Sequence, residues 1–155
     1  DFDGASTACG SGFGCYTQVP GLTVSKGLEL SGRVAVNDRI SVYGNYTLTD
    51  AETDGTRTVL VPRHDLVLGV DAQLTDRLSG GFDVHHVADV EASPFAPADN
   101  KVGDYTVANM QIGYEVTDGA EAYLRVENLF DQDYETTGGF NMPGRAVFVG
   151  LRADF

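Results

Sequence analysis

The chain has 155 residues, 42% of them hydrophobic, and a formal net charge of −13 at pH 7. This hydrophobic content is too high for a disordered chain, and no run approaches the roughly 18 apolar residues that a membrane-spanning helix needs. The acidic balance argues against nucleic acid as a partner, because binding phosphates needs a basic surface.

The two cysteines of the sequence, Cys9 and Cys15, lie together in CGSGFGC. No histidine or further cysteine is near enough in sequence to complete a zinc set. We favour a small disulfide-closed loop over two free thiols. Such a bond would place this part of the chain in an oxidising, extracytoplasmic compartment.

Apolar and polar side chains alternate along seven segments. In chain order these segments are 28–37, 40–49, 65–74, 82–90, 108–116, 120–127 and 146–155. Successive side chains of a strand point to opposite faces, and no stretch of the chain has a convincing helical period. The pattern therefore predicts an all-β, antiparallel fold with one apolar and one polar face.

The connections between these segments alternate in length. Tight turns are expected at 37–38, 75–76 and 117–119, and long polar connections at 50–63, 91–104 and 130–144. Short turns at one end and long loops at the other are typical of an outer-membrane β-barrel. In this interpretation residues 1–21 are an external loop and residues 22–155 hold the seven strands.

A soluble antiparallel sheet packed on a core would show the same alternation. We expect the strands to extend beyond these segments to about 11 to 13 residues, which favours the membrane, because a tilted strand needs roughly 9 to 11 residues to cross a bilayer. Phe155, at the end of the last apolar face, would then lie at the periplasmic edge among the aromatic residues of the interface.

Seven strands do not close a bacterial outer-membrane barrel, since such barrels normally have an even number of strands. An open sheet would leave unpaired backbone groups in lipid, at a cost of several kcal/mol for each. We therefore expect the chain to be the carboxyl-terminal part of a larger barrel.

Several motifs point to one family. They are KGLEL at 26–30, VPRH at 61–64 and, above all, VENLFDQDYE at 126–135, which is followed by PGR at 143–145 and the closing strand. With these motifs the chain resembles the carboxyl-terminal part of the barrel of TonB-dependent outer-membrane receptors. The resemblance covers nearly the whole chain.

The resemblance implies a barrel of 22 strands in the outer membrane of a Gram-negative bacterium, with an amino-terminal plug domain inside it. It implies as partners the TonB energy-transducing complex, acting through the plug, the barrel assembly machinery, acting through the Phe155 terminus, outer-membrane lipid, and a scarce nutrient as cargo. Such cargo is a ferric siderophore, haem or cobalamin. The short ending DYETTGGFNMPGR looks most like the cobalamin-receptor branch.

No motif for catalysis stands out, and we expect no enzymatic activity and no cofactor. Asp131, Asp133 and Glu135 lack the spacing of a calcium loop, and we assign them turn and capping roles. His85 and His86 are adjacent in a strand and so point to opposite faces, His85 to the lumen and His86 to the outer surface.

Cargo contacts are expected from loops on a rigid barrel. The candidates are exposed loop aromatics that could pack against a flat ligand face, namely Phe13, Phe95, Tyr134 and Phe140. The alternative is that they pack within the loops or in the interfacial belt. Leu129 and Phe130 are expected to pack at the membrane boundary.

Two other kinds of protein remain open at this point. One is a small structural outer-membrane barrel, completed by one more strand and without active transport. The other is a soluble lipocalin-like barrel whose apolar face surrounds a ligand, which the motifs at 126–135 and the terminal Phe155 disfavour.

Overall fold

The computed structural model describes residues 2–3, 15–16, 21–92 and 102–153, and their regular structure is β-strand throughout. Seven long strands form the sheet: β1 (Thr23–Asn37), β2 (Ile40–Thr53), β3 (Pro62–Gln73), β4 (Leu78–Val90), β5 (Tyr105–Thr117), β6 (Ala120–Glu127) and β7 (Ala146–Ala153). They lie side by side in chain order, each antiparallel to the next. In the described ranges, no helix has the length and apolar character needed to cross a membrane.

The register keeps the sequence alternation intact from strand to strand. One cross-sheet row is wholly apolar and runs through Val34, Val42, Val70, Phe82, Met110, Val126 and Val147. The next row lies on the opposite face and runs through Ala35, Ser41, Asp71, Gly81, Gln111, Arg125 and Phe148. We call these two surfaces the apolar face and the polar face. They confirm the predicted all-β, two-faced sheet.

The apolar face is exposed over much of the sheet, although Ala108 and Val126 on this face are only 4% and 6% exposed. Val149 and Leu151 are each 80% exposed. Other large exposed side chains on this face are Leu28, Leu30, Val34, Val36, Leu68, Leu74, Tyr114 and Val116. Leaving so much apolar area in water is unfavourable by about 25 cal/mol per Å², so this face suits a hydrocarbon environment.

Tyrosine, histidine and threonine mark one margin of the apolar face. The Tyr46 hydroxyl lies 2.7 Å from His64 Nδ1, and the two rings are stacked. On the neighbouring strands, His86 Nδ1 lies 2.8 Å from Thr106 Oγ1. Aromatic rings that carry polar atoms are favoured at membrane interfaces. His86 lies on the apolar face, which confirms its predicted outward placement.

The predicted tight turns all lie at one end of the sheet, and they are confirmed with small shifts. Asn37 Oδ1 accepts hydrogen bonds from the backbone amides of Arg39 and Ile40, which closes the β1–β2 turn over residues 38–39. Thr75 Oγ1 accepts one from Leu78 N at the β3–β4 turn. Gly119 supplies the positive φ of 85° in the β5–β6 turn.

The connection predicted at 50–63 is more structured than the sequence analysis expected. Strand β2 continues to Thr53 and pairs with a short strand, Thr56–Arg57. Asp54 and Gly55 join them with positive φ values of 51° and 78°. Two consecutive positive φ values define the two-residue hairpin turn that an Asp-Gly pair favours. The long polar connection is therefore present, and it contains a hairpin that was not predicted.

The connection predicted at 130–144 also contains a small hairpin. Glu135–Thr137 pairs with Phe140–Asn141, with Gly139 at a φ of 85° in the turn. Within the predicted external loop 1–21, the short strands Phe2–Asp3 and Cys15–Tyr16 pair antiparallel. Two of the long connections at the end of the sheet opposite the tight turns, 50–63 and 130–144, therefore carry β-hairpins.

Candidate functional site

An arginine links three strands on the polar face. Arg33 in β1 donates from Nη1 to Ser41 Oγ and to Asp71 Oδ2, both at 2.8 Å. Its guanidinium carbon lies 4.6 Å from the centroid of the Tyr43 ring. That ring lies against Gly69 so closely that a Cβ there would clash with it. Glycine at position 69 thus makes room for the tyrosine that the arginine covers.

A second set of contacts repeats this arrangement on β6 and β7. Arg125 Nη1 lies 2.9 Å from Glu127 Oε1, and its guanidinium carbon lies 4.5 Å from the Phe148 ring centroid. Arg152 lies 3.9 Å from Glu121. Arg33, Arg125 and Arg152 each lie close enough to a carboxylate of this face for direct attraction.

Two concave regions lie towards opposite ends of the polar face. One, of about 800 Å³, lies towards the tight turns, and its lining includes Arg39, Asp71 and Arg152. The other, of about 550 Å³, lies towards the long connections. We call the second region the aromatic cavity, because its lining includes the aromatic residues Tyr43, Phe82, His85, Tyr105 and Tyr134.

The aromatic cavity combines flat rings with hydrogen-bonding groups. The ring centroids of Tyr105 and Tyr134 lie 4.6 Å apart, and His85 meets Tyr105 edge-on at 6.0 Å. His85 Nε2 lies 3.0 Å from Asp65 Oδ1, which confirms the placement of His85 on the polar face. Such a wall can contact a mixed polar and apolar small molecule through ring faces and oriented polar groups.

The last long connection folds over this cavity. Tyr134, Thr136, Met142 and Pro143 come from it and join the cavity lining. Its two ends are tied together, since Asp131 Oδ1 accepts a hydrogen bond of 2.7 Å from Arg145 N and Asp131 Oδ2 lies 3.6 Å from Arg145 Nη2. We call residues 129–144 the covering segment.

An arginine also clasps the hairpin that extends β2. Arg57 donates from Nη1 to Asp89 Oδ1 at 2.7 Å and from Nη2 to the Asp89 carbonyl at 2.5 Å. Asp89 has a positive φ of 57°, and its amide donates to Asp104 Oδ1 at 2.8 Å. The hydrogen bond to Asp89 raises the pKa of Arg57 above its ordinary value. The hairpin, the end of β4 and the residues before β5 are thereby joined.

The predicted site residues have different outcomes. Tyr134 lies in the aromatic cavity, whereas Phe140 is 71% exposed at the small hairpin. Phe130, the second residue of the covering segment, is 74% exposed. Phe13, Phe95, Cys9 and Phe155 lie outside the described residues, as does the side chain of Cys15. Cargo contact by the four candidate aromatics and the Cys9–Cys15 bond stay predictions.

Tyr105 and Asp65 belong to the aromatic cavity or its hydrogen bonds but were not predicted as site residues. Both fall at polar-face positions of their strands, Tyr105 opposite Val87 and Asp65 also opposite Val87 on its other side. The alternation could have placed them on that face, but it gave no sign that the covering segment would bring Tyr134 beside them. Within the described ranges, no group of three or more His, Cys, Asp or Glu side chains could hold a metal ion.

Comparison with known proteins assigns the family. Residues 1–129 match the family model described as TonB dependent receptor-like, beta-barrel. The chain therefore belongs to the TonB-dependent receptor β-barrel family, whose location is the outer membrane of Gram-negative bacteria. This confirms the fold class expected from the sequence.

Two similar curated proteins are receptors for ferric siderophores by name. The chain is 32% identical over 122 residues to the ferrichrome outer membrane transporter/phage receptor of Escherichia coli K12, covering 71% of this chain and 16% of that protein. It is also 32% identical over 146 residues to the ferric-pyoverdine receptor of Pseudomonas sp. strain M114, covering 82% of this chain and 17% of that one. The chain thus spans about a sixth of the length of these relatives.

A solved structure has the same fold. The closed form of the ferric-catecholate import receptor Fiu of E. coli K12 superposes with a TM-score of 0.73 at 23% identity, over 87% of this chain and 21% of that one. The relatives described here are named for iron-carrying cargo, and none supports the cobalamin branch that the short ending had suggested.

Proposed function

We propose that the full-length protein is a TonB-dependent receptor that takes up a ferric siderophore across the outer membrane. The observation that carries the proposal is the aromatic cavity, placed on the polar face of a sheet whose other face is apolar and exposed. Relatives named for ferrichrome and ferric pyoverdine support the choice of an iron chelate. In this role the cavity contributes one wall of the cargo path.

The chain would supply the last seven strands of a 22-stranded barrel, with residues 1–21 as an external loop. In the described sheet β1 and β7 are the outer strands, each with a neighbour on one side. Pairing with further strands would satisfy their free edges, as lipid requires. The polar face would then surround a plug domain, which is the element that the TonB complex engages.

The barrel assembly machinery would recognise the closing strand that ends at Phe155, and outer-membrane lipid would surround the apolar face. The side chains of β7 fit this role, because Val147, Val149 and Leu151 alternate on the apolar face with little cover. A closing strand of this pattern can present its apolar face to lipid during insertion.

Uptake by cells tests the proposal directly. A strain lacking the gene is complemented with the full-length protein, and accumulation of ⁵⁵Fe is measured with ferrichrome, ferric pyoverdine and a ferric triscatecholate as probes. We expect uptake of at least one chelate, abolished by a protonophore and by deletion of the plug.

Labelled cobalamin serves as the competing cargo in the same cells. Cobalamin uptake without iron uptake would contradict the siderophore proposal. The cargo would then be cobalamin, as the short ending of the sequence suggested. Energy-dependent uptake that survives plug deletion would contradict the receptor mechanism itself.

A further inference from the structure

We infer that Asp83, Asn109 and Asn128 form a hydrogen-bonded relay through which the aromatic cavity positions the covering segment. The relay runs from a carboxylate on the cavity wall to both ends of residues 129–144. Its consequence for cargo rests on the proposed function, but the relay itself is a property of the fold and can be tested without cargo.

Asn128 is the end of the relay that holds the covering segment. It is 3% exposed and adopts a positive φ of 49°. Its Nδ2 donates to the carbonyl of Gln132 at 2.9 Å and to that of Pro143 at 3.3 Å, while its Oδ1 accepts from Gln132 N at 2.8 Å. A single side chain therefore binds the beginning and the end of the covering segment.

Asn109 connects Asn128 to the wall of the cavity. Asn109 Oδ1 accepts a hydrogen bond of 3.1 Å from Asn128 N, and Asn109 Nδ2 donates to Asp83 Oδ2 at 2.8 Å. An amide group presents its oxygen and its nitrogen on opposite sides. By fixing the nitrogen, Asp83 therefore fixes the direction in which the oxygen points, which is towards Asn128.

Asp83, at the other end of the relay, lies where a ligand can reach it. It lines the aromatic cavity together with Tyr105 and Tyr134. A donor group of a bound molecule would compete with Asn109 for the Asp83 carboxylate. The position of the covering segment, and with it the contact between Tyr134 and Tyr105, would then respond to what occupies the cavity.

The required property at position 83 is a hydrogen-bond acceptor, and not a negative charge. Asp83→Asn keeps an oxygen that can accept from Asn109 Nδ2, whereas Asp83→Ala removes it. If Asp83 acted only through its negative charge, Asp83→Asn and Asp83→Ala would change hydrogen exchange in the covering segment equally. The relay predicts that exchange in the covering segment differs between the two variants, and that Asp83→Asn keeps the exchange rate of the unsubstituted protein.

Hydrogen–deuterium exchange of the full-length protein in detergent micelles measures the effect on peptides that cover residues 129–145. We expect exchange in these peptides to be about tenfold faster in Asp83→Ala, since losing one part-buried hydrogen bond to a charged group changes an equilibrium by roughly this factor. Asp83→Asn should stay close to the unsubstituted protein. Asp71→Ala is the matched control, because Asp71 lies on the same face but contacts Arg33 of β1.

Heat-modifiable migration on gels shows whether each variant is folded. If Asp83→Ala does not fold, Asn109→Ala removes the contact with Asp83 together with the contact to Asn128 N, and it should accelerate exchange in the same peptides. Unchanged exchange in a folded Asp83→Ala variant would overturn the relay, as would equal acceleration in Asp83→Asn. A protein that shows the exchange pattern but takes up no ferric chelate would refute the proposed function and leave the relay standing.

Discussion

At the scale of single residues, the polar face depends on side chains that fit one another across strands. Arg33 lies over Tyr43, and Tyr43 lies over Gly69. Packing an aromatic ring on a cross-strand glycine pins the register of neighbouring strands. Tyr123 covers Gly150 in the same way between β6 and β7. Gly69 and Gly150 thus leave the space that a tyrosine ring of the neighbouring strand occupies.

Replacing the glycine beneath Tyr43 should destabilise the barrel. A Cβ at Gly69 would overlap the Tyr43 ring, and overpacking of this kind costs about 1–3 kcal/mol. We expect Gly69→Ala to lower the midpoint of urea unfolding of the full-length protein in micelles. Gly32→Ala is the control, since a Cβ there meets no atom within 4 Å; equal destabilisation by both substitutions would contradict this account.

The clasp at Arg57 should control the hairpin that extends β2. Arg57→Lys keeps the charge but cannot donate to both the carboxylate and the carbonyl of Asp89 from one planar group. We therefore expect several-fold faster proteolytic cleavage at 54–60 in Arg57→Lys, with the unfolding midpoint nearly unchanged. Arg39→Ala removes an exposed ion pair with Asp76 at the opposite end of the sheet and should leave cleavage at 54–60 unaltered. Cleavage that does not change in Arg57→Lys would show that the clasp is not needed.

Part of this residue-level detail could be predicted from the sequence. Strand alternation placed His85 and His86 on opposite faces, because the side-chain period of a strand is two. The Arg57–Asp89 contact could not be predicted in the same way. It depends on a hairpin turn at Asp54–Gly55 and on the positive φ of Asp89, and neither is encoded in the alternation.

At the scale of elements, the two faces of each strand should tolerate charge differently. Val34 lies on the exposed apolar face in β1, and Ser31 lies on the polar face of the same strand. An arginine near the bilayer midplane costs roughly 2–4 kcal/mol on the lipid face of a barrel. Val34→Arg should lower the unfolding free energy of the full-length protein in lipid vesicles by about this amount, and Ser31→Arg by much less. Similar losses for the two variants would argue against a lipid-facing surface.

The seven long strands were predictable, whereas the hairpins in the long connections were not recognised. Each long strand carries an apolar residue at every second position over most of its length. The Asp54–Gly55 and Gly138–Gly139 turns lie between short polar stretches that bury little, so no hydrophobic pattern marks their strands. The Asp-Gly pair is itself a known hairpin signal, and it is the feature of the sequence that could have identified the first of them.

At the scale of the whole molecule, the sheet is a wall between two environments. Its apolar face matches a bilayer, and its polar face carries the aromatic cavity and the covering segment. The family could be recognised from the motif VENLFDQDYE, in which Asn128 holds both ends of the covering segment. The cargo could not be read from the sequence, because recognition in a barrel is assembled from many loops.

The central claim is that the apolar face meets lipid while the polar face meets water. Nitroxide labels at positions 30 to 34 of β1, one at a time in the full-length protein in lipid vesicles, test it most directly. The account predicts a period of two, with positions 30, 32 and 34 colliding mainly with oxygen and positions 31 and 33 mainly with a water-soluble nickel chelate. Equal access of the nickel chelate to both sets, or an alternation of the opposite phase, would contradict it.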